Sequence, residues 1–250
     1  MSHMVFGPHA LLSALNSPVT RVIEIFALSG SSAASKSQAV LAEAKEKKVP
    51  VRLVDRAHLD KLSGEQNHQG VVAMTQRTRA WEEGDLLDLI QAQPNTLVLV
   101  LDGVQDPHNL GACLRSADAF GVKAVIIPKD KSCQMTPVVE KVACGAAETV
   151  PVIPVTNLAR TLRDLKDNDY WIVGLDGDSE ETLDQVNTSG NVAVVMGGEG
   201  SGLRRLTKEH CDFLVKIPMV GTVGSLNVSV AAGVALYAVF STKMAAGKTN

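Results

Sequence analysis

The strongest constraint on the fold is a series of six short, continuously apolar runs from residue 97 onward. Stretches with helical spacing separate these runs. Strands that are apolar throughout and are connected by helices are typical of a parallel sheet that is covered on both faces. The sequence therefore predicts an α/β domain whose strands are the runs Leu97–Leu101, Ala124–Ile127, Val150–Ile153, Trp171–Leu175, Val192–Met196 and Phe213–Ile217.

The front of the chain predicts a second, smaller α/β unit. It contains strands at 22–28, 51–54 and 70–74 and a helix at 38–47. Residues 1–80 carry 10 Lys and Arg against 6 Asp and Glu, a charge of +4, whereas residues 81–250 carry −7. A basic front on an acidic body predicts that contact with a polyanion falls to the front. We expect a substrate-binding domain at 1–77, an acidic linker with one helical turn at 78–95, and a catalytic domain at 96–250.

Several classes of protein are excluded by what the sequence lacks. The four cysteines form no CxxC pair and no Cys/His ligand spacing, so we expect reduced thiols and no metal. No charged segment followed by a long apolar stretch opens the chain, so no secretory signal is expected. The longest apolar run, Leu226–Phe240, is shorter than the ~20 residues that cross a bilayer. We therefore predict a cytoplasmic protein without a membrane anchor, in which this run is a buried helix.

Ligands of parallel sheets bind beyond the carboxyl ends of the strands, so the loops that follow the apolar runs are the most informative. The first loop opens a helix for which Asn109 is a suitable cap. Leu110, Leu114 and Ala117 share one face of that helix, and Arg115 projects from another. Spacing alone favours a plain interpretation, a cap plus an ion pair between Arg115 and Asp118.

The second loop, Met196–Leu203, places four glycines directly after a buried strand, which lets main-chain amides approach a ligand closely. Leu203 stands where a dinucleotide fingerprint needs glycine, and no Gly-Lys-Ser/Thr follows. The failed fingerprint disfavours a nicotinamide dehydrogenase, and a P-loop is excluded. Glu199 has no local partner, so the loop is equally compatible with a ligand site and with a turn that places Glu199 near a helix N-terminus.

The third loop, 217–229, leads from a strand into the long apolar helix, and Ser225 or Asn227 could cap that helix. Two glycines make this loop pliant, which suits a neutral or zwitterionic ligand held through main-chain groups. The alternative is one cap and one buried asparagine. His108 is a weaker candidate for a general base, while His9 and His68 fit an RNA contact and a structural role equally well.

Taken together, the three loops resemble the signature blocks of the SpoU branch of the SPOUT RNA ribose 2′-O-methyltransferases. The matching blocks occur in family order and spacing across residues 96–250: Asn109 to Arg115, Gly197-Gly-Glu-Gly200, and Ile217-Pro-Met219 with Ser225-Leu-Asn227. Residues 142–148 and 155–160, with Gly7-Pro-His-Ala10 and His68-Gln-Gly70, are similar to members that act on the large ribosomal subunit. The resemblance implies 2′-O-methylation of a guanosine ribose in the peptidyl-transferase loop of 23S ribosomal RNA, with S-adenosylmethionine as methyl donor.

The resemblance also implies an architecture. It implies a deep trefoil knot in the catalytic domain, a homodimer formed by the catalytic domains, and a front domain similar to the L30e/L7Ae RNA-binding fold. The implied cofactor-binding residues are Gly197, Gly198, Gly200, Ile217, Pro218, Met219, Ser225 and Leu226. Two alternatives stay open, the same chemistry on another RNA such as tRNA and a non-catalytic RNA-binding factor in ribosome assembly.

The chemistry of the reaction constrains the role of Arg115, to which the resemblance assigns catalysis. A ribose hydroxyl is a poor acid, so the oxygen that attacks the methyl group needs a base or nearby positive charge. Arginine stays protonated in proteins and is a reluctant base. We predict that Arg115 stabilises the developing alkoxide or holds the adjacent phosphate, while Asn109, Glu199, Ser225 and Asn227 orient Arg115, the loop and the ribose.

Overall fold

The computed structural model describes residues 2–29, 35–64, 67–91, 94–200 and 202–246. The chain divides into two units, Met1–Ala80 and Trp81–Asn250. The first unit contains four strands and three helices among its described residues: β1 Ser2–Phe6, α1 Pro8–Asn16, β2 Thr20–Leu28, α2 Ser35–Glu46, β3 Val51–Val54, α3 Arg56–Ser63 and β4 Val71–Arg77.

The first unit is built on a mixed sheet with the strand order β1-β4-β2-β3, in which β4 is antiparallel to both neighbours. Helices α1 and α2 cover one face around Leu11, Ile25 and Val40, and α3 packs on the other around Leu59. The predicted strands and helix of this unit are confirmed. The additional elements β1, α1 and α3 were not predicted, because each is short and α3 buries only one leucine fully.

The second unit contains six strands and seven α-helices within its described ranges: α4 Leu86–Gln91, β5 Leu97–Asp102, α5 Pro107–Ala119, β6 Ala124–Pro128, α6 Pro137–Ala143, α7 Ala146–Thr149, β7 Val152–Val155, α8 Leu158–Lys166, β8 Tyr170–Leu175, β9 Asn191–Gly197, α9 Arg205–His210, β10 Phe213–Val215 and α10 Val228–Ala246. The strand order is β10-β8-β9-β5-β6-β7, and every pairing is parallel. Apolar cores lie on both faces of the sheet. The predicted parallel sheet and its six strands are confirmed.

Part of the acidic segment predicted as a linker packs against the second sheet. Leu86 and Ile90 of α4 are buried in the core on one face of that sheet, which confirms the predicted helical turn. The carboxylate of Glu83 accepts a hydrogen bond from the main-chain nitrogen of Thr156 at 3.1 Å and pairs with Arg160 at 2.5 Å. Because both apolar residues have a place in the core, residues 81–91 belong to the second unit.

Helix α10 has two different faces. Ala232, Ala235, Leu236 and Val239 are buried, whereas an opposite stripe is exposed: Val230, Val234, Tyr237 and Met244. The prediction of a buried helix is wrong for this stripe, since a run that is apolar all round does not indicate which face will be covered. By length and composition alone, Val228–Ala245 would also be sufficient to cross a bilayer, and 28% of it is buried.

Candidate active site

The three loops singled out in the sequence meet at Asn109. Its side-chain Nδ2 donates a hydrogen bond to Oε1 of Glu199, and its Oδ1 accepts one from Nδ2 of Asn227 at 3.1 Å. These partners lie 90 and 118 positions further along the chain. The loops after β5, β9 and β10 are therefore joined by one buried side chain.

Asn109 does not cap α5, so that prediction is wrong. Asp106 is the cap, since its Oδ1 accepts a hydrogen bond from the main-chain nitrogen of His108 at 2.9 Å and Pro107 is the first helical residue. Proline suits that position because its missing N–H is not needed there. Asn109 lies in the first turn, where its side chain is free to contact the other two loops.

Arg115 makes no hydrogen bond or ion pair to this cluster among the described residues. It is exposed and stands six residues beyond Asn109 on α5, about 9 Å along the helix axis. The ion pair expected with Asp118 does not form within the described part of the chain, and the Asp118 carboxylate accepts a hydrogen bond from the Thr149 hydroxyl at 2.5 Å. The predicted apolar face of α5 is confirmed, since Leu110, Leu114 and Ala117 are all buried.

The glycine-rich loop after β9 is a tight reversal of the main chain. A Cβ atom at Gly197 would overlap the main chain of Gly202. The Gly202 nitrogen donates to the Gly198 carbonyl at 3.1 Å, and Gly200 takes a φ of +74° at the turn. The reversal exposes Glu199 and Gly200, and Glu199 has Asn109 as its partner.

The loop after β10 is open and ends at a helix cap. Asn227 caps α10, because its Oδ1 accepts from the main-chain nitrogen of Ser229 at 2.9 Å and from the Ser229 hydroxyl at 2.7 Å. Ser225, the other predicted cap, is exposed and stands two residues earlier. Apolar side chains line the open stretch, with Met219 43% and Leu226 40% exposed. Asn227 therefore begins α10 and contacts Asn109 with the same side chain.

Two functional candidates were missed in the sequence, Asp102 and Arg204. The Asp102 side chain is fully buried at the end of β5, and it accepts a hydrogen bond from the main-chain nitrogen of Arg204 at 3.1 Å. The Arg204 Nε lies 3.4 Å from its other oxygen. A signal was present, because the tripeptide Leu-Asp-Gly occurs at the ends of two apolar runs, 101–103 and 175–177.

Two of the six histidines, His68 and His108, differ in their surroundings. His68 is buried, with Nε2 2.9 Å from an Asp60 carboxylate oxygen and Nδ1 accepting from the Gly70 nitrogen at 3.0 Å. This favours the structural role of the two considered for His68. His108 is exposed and its Nδ1 lies 3.1 Å from Asp106. Across the residues that the structure describes, no group of three His, Cys, Asp or Glu is placed to hold a metal ion.

The first unit carries a groove of about 470 Å³ at the start of β2 and the end of α2. Arg21, Lys47 and Lys48 line it together with apolar side chains such as Leu15 and Val49. Positive charge beside apolar surface is the combination that RNA backbones and bases contact.

The fold and the site together define a class of protein. A parallel sheet whose carboxyl-end loops converge, one of them a glycine reversal, is typical of α/β proteins that bind a ligand at that edge. Residues 96–237 match the SpoU rRNA methylase family, and residues 4–81 match the RNA 2′-O ribose methyltransferase substrate-binding family. The chain belongs to the SpoU rRNA methylase family.

Relatives of similar length support this assignment. The chain is 51% identical over 246 residues to the 23S rRNA (guanosine-2′-O-)-methyltransferase RlmB of Pasteurella multocida, covering 98% of this chain and 100% of the relative. It is 51% identical to the protein of that name from Escherichia coli K12, covering 95% and 97%.

Solved structures agree at the level of the fold. An RNA 2′-O ribose methyltransferase superposes with a TM-score of 0.58 at 26% identity, covering 96% of this chain and 88% of the other. The SpoU methyltransferase AviRb from Streptomyces viridochromogenes, solved in complex with AdoMet, superposes with a TM-score of 0.63 at 21% identity, covering 96% and 89%. The second likeness shows the fold alone.

Proposed function

We propose that this chain transfers a methyl group from S-adenosylmethionine to the ribose 2′-oxygen of a guanosine in 23S ribosomal RNA. Its membership of the SpoU family and its 51% identity to enzymes named for that reaction support the proposal. The structural observation that carries it is the junction at Asn109, which joins Glu199 and Asn227 across three loops.

The two loops after β9 and β10 fit S-adenosylmethionine. The cofactor supplies the methyl group and a neutral thioether leaving group. The glycine reversal offers main-chain amides to a charged amino-acid group, while exposed apolar side chains such as Met219 and Leu226 offer contacts to a flat base. The residues that would hold the cofactor are Gly197, Gly198, Gly200, Ile217, Pro218, Met219, Ser225 and Leu226.

Arg115 stabilises the attacking oxygen. Its guanidinium is exposed and makes no ion pair among the described residues, so it is available to the sugar and its phosphate. A fixed positive charge beside the 2′-oxygen favours loss of the hydroxyl proton to water as the new C–O bond forms. The planar guanidinium can also hold a phosphate with two parallel hydrogen bonds.

The amide network orients the groups around that oxygen. Asn109 uses its Nδ2 toward Glu199 and its Oδ1 toward Asn227, so neither amide can rotate without losing a hydrogen bond. Ser225 stands two residues before Asn227 in the loop after β10 and is exposed, and we assign its hydroxyl to the ribose. Positioning of the two reactants in line contributes roughly 7–11 kcal/mol in well-oriented reactions, and this network supplies that alignment.

The two units divide the work between RNA binding and chemistry. We assign substrate binding to residues 1–77 and catalysis to 96–250, with 78–95 as the connection, of which 81–91 pack in the second unit. The basic groove at Arg21, Lys47 and Lys48 provides RNA contacts in the first unit. The target guanosine lies in the peptidyl-transferase loop, the enzyme works in the cytoplasm, and the catalytic unit contains the trefoil knot that the family resemblance implies.

The exposed stripe of α10 supports a homodimer. Val230, Val234 and Tyr237 recur at helical spacing and are 52%, 41% and 58% exposed. Tyr237 also packs against the Phe120 ring, with 5.9 Å between ring centroids, so the aromatic surface extends to the residue that follows α5. A contiguous apolar face of this kind marks an interaction site. A second copy of the chain would cover the exposed stripe of α10 and the neighbouring aromatic surface together. Val234→Glu should convert a dimer to a monomer in light-scattering measurements, and an unchanged mass would contradict the proposal.

The activity is tested with labelled S-adenosylmethionine and two deproteinised RNAs, 23S ribosomal RNA from a strain that lacks this protein and tRNA. Transfer to 23S RNA, mapped by mass spectrometry to the 2′-oxygen of one guanosine, is the expected result. Transfer only to tRNA would move the proposal to another substrate. Cofactor binding without transfer to either RNA would indicate a non-catalytic factor.

A further inference from the structure

A repeated tripeptide flanks the proposed cofactor loop. Leu-Asp-Gly occurs at 101–103 and 175–177, at the ends of β5 and β8. These strands are the two neighbours of β9, the strand that leads into the glycine reversal. The proposed function gives neither aspartate a role, although both stand at the edge of the sheet where the loops converge.

Both aspartates hold the helix that follows the reversal. Arg204 is the residue just before α9. One oxygen of the Asp102 carboxylate accepts a hydrogen bond from the Arg204 main-chain nitrogen at 3.1 Å, and the other oxygen lies 3.4 Å from the Arg204 Nε. One turn further along, the Lys208 Nζ lies 2.6 Å from an Asp176 carboxylate oxygen. Helix α9 is thus tied to the strands on both sides of β9.

The two pairs differ in burial and in their distance from the reversal. The Asp102 side chain is 0% exposed and that of Asp176 is 15% exposed. Asp102 pairs in register with Gly197, where the reversal begins, and Arg204 follows shortly after Gly202, where it returns. Of the two ion pairs, the Asp102–Arg204 pair is therefore the one that joins the beginning of the reversal to its end.

The charge of Asp102 makes this closure strong. One of its oxygens is buried without a hydrogen bond among the described residues, and the facing cation is Arg204. A buried carboxylate that loses its countercharge is strongly destabilised. The Arg204 guanidinium also passes close over Gly103, with Nη2 3.2 Å from the point a Cβ would occupy, so the main chain there leaves space for the ion pair.

We propose that Asp102 is a positioning residue for cofactor binding, which acts through Arg204 to fix the end of the glycine reversal so that its main-chain amides face the ligand. The inference rests on the proposed function, because it concerns the loop assigned to S-adenosylmethionine. Asp102 itself does not touch the cofactor. Without the pair, the reversal loses its fixed geometry and cofactor affinity falls. At saturating cofactor the bound ligand holds the reversal in place, so Glu199 regains its contact with Asn109 and turnover is retained.

The test compares two pairs of matched variants in the full-length protein. Asp102→Asn and Arg204→Gln remove the inner ion pair, and Asp176→Asn and Lys208→Gln remove the outer one. The dissociation constant of S-adenosylmethionine is measured by calorimetry, KM and kcat by methyl transfer, and folding by thermal melting. We expect the inner variants to weaken cofactor binding and raise KM about tenfold or more, with kcat within about threefold. The outer variants should bind as the unmodified protein does.

Each outcome has one meaning. Unchanged affinity in Asp102→Asn and Arg204→Gln overturns the inference, and so does an equal loss in the outer variants, which would indicate a general effect on folding. If Asp102→Asn does not fold, Arg204→Gln decides, because it keeps the main-chain hydrogen bond. If the unmodified protein binds no S-adenosylmethionine, the proposed function itself fails. If the unmodified protein binds and the inner variants bind equally well, the positioning role alone fails.

Discussion

The two sheets of this chain place their polar groups differently. In the first unit the sheet is mixed and its cations are exposed along a groove, as at Arg21 and Lys48. In the second unit the sheet is parallel and covered on both faces, and its functional polar groups gather at one edge, where Asn109 and Asp102 are buried. A surface that adapts to RNA needs accessible charge, whereas a site that aligns two reactants needs side chains with fixed partners. The proposed function therefore assigns RNA binding to the first unit and alignment of the reactants to the second.

The largest effect should come from a substitution at Gly197 in the second unit, where the main chain leaves no space for a side chain. In Gly197→Ala the new methyl overlaps the main chain of Gly202, so the reversal must open. We expect S-adenosylmethionine affinity to fall roughly 100-fold or more, while RNA affinity stays within about threefold. Calorimetry and filter binding measure the two quantities. Gly177→Ala is the control, since a Cβ there meets nothing within 4 Å.

The next-largest effect distinguishes the positive charge of Arg115 in the second unit from the planar geometry of its guanidinium. Arg115→Lys keeps a positive charge but loses the planar group that can hold sugar and phosphate together. We expect kcat to fall about 10- to 100-fold, with the dissociation constant of S-adenosylmethionine unchanged, because Arg115 makes no hydrogen bond or ion pair to either cofactor loop among the described residues. Single-turnover kinetics measure this, with Arg163→Lys on α8 as the control. Near-normal turnover would exclude a role that requires the guanidinium.

A smaller effect tests the first unit. Replacing Arg21, Lys47 and Lys48 with glutamine removes the cations of the groove. If each contacts one phosphate of single-stranded RNA, the slope of log affinity against log salt should become less steep by about 2. Titrations at several salt concentrations measure the slope, and cofactor affinity serves as the internal control. An unchanged slope would place the RNA contact elsewhere.

The smallest effect concerns pH and comes from Lys243 on α10, whose Nζ donates a hydrogen bond to the Gly190 carbonyl. Burial lowers the pKa of Lys243 from 10.5 to about 8, so its charged form is disfavoured in the folded state. Between pH 8 and 10.5 the unfolded chain binds more protons, and the free energy of unfolding should rise with pH. The rise should be about 1 kcal/mol or less, because the side chain is partly solvated. Denaturant titrations should show the rise, Lys243→Met should lose it, and Lys141→Met should retain it.

The sequence predicts the sheet of the second unit well, because continuous apolar runs separated by helices have few other arrangements. Helices α1 and α3 escape prediction, since each is short and held by tertiary packing. Which face of α10 is buried could not be predicted for a different reason, because its exposed and buried sides have the same apolar composition. The pattern of apolar residues therefore predicts that a helix or strand is present more reliably than it predicts which of its faces is buried.

Within the site, sequence indicates which loops matter but leaves their contacts open. The spacing favours Asn109 as a helix cap. The hydrogen bond from the His108 nitrogen to Asp106 shows that Asp106 is the cap instead. The partners of Asn109, Glu199 and Asn227, are about a hundred residues away, a separation that no local spacing can reveal. Asp102 and Arg204 were missed for the same reason. The family resemblance supplied the grouping of the loops that periodicity could not.

The double use of Asn227 has a consequence for the order in which the protein becomes active during synthesis. Asn227 caps α10, so its side-chain amide is fixed toward Asn109 once α10 has started behind it. Ribosomes deliver chains from the N-terminus, and domains generally fold as they emerge. A nascent chain can thus hold a complete first unit while its reaction centre is still unassembled, so that methyl transfer must wait for the arrival of α10.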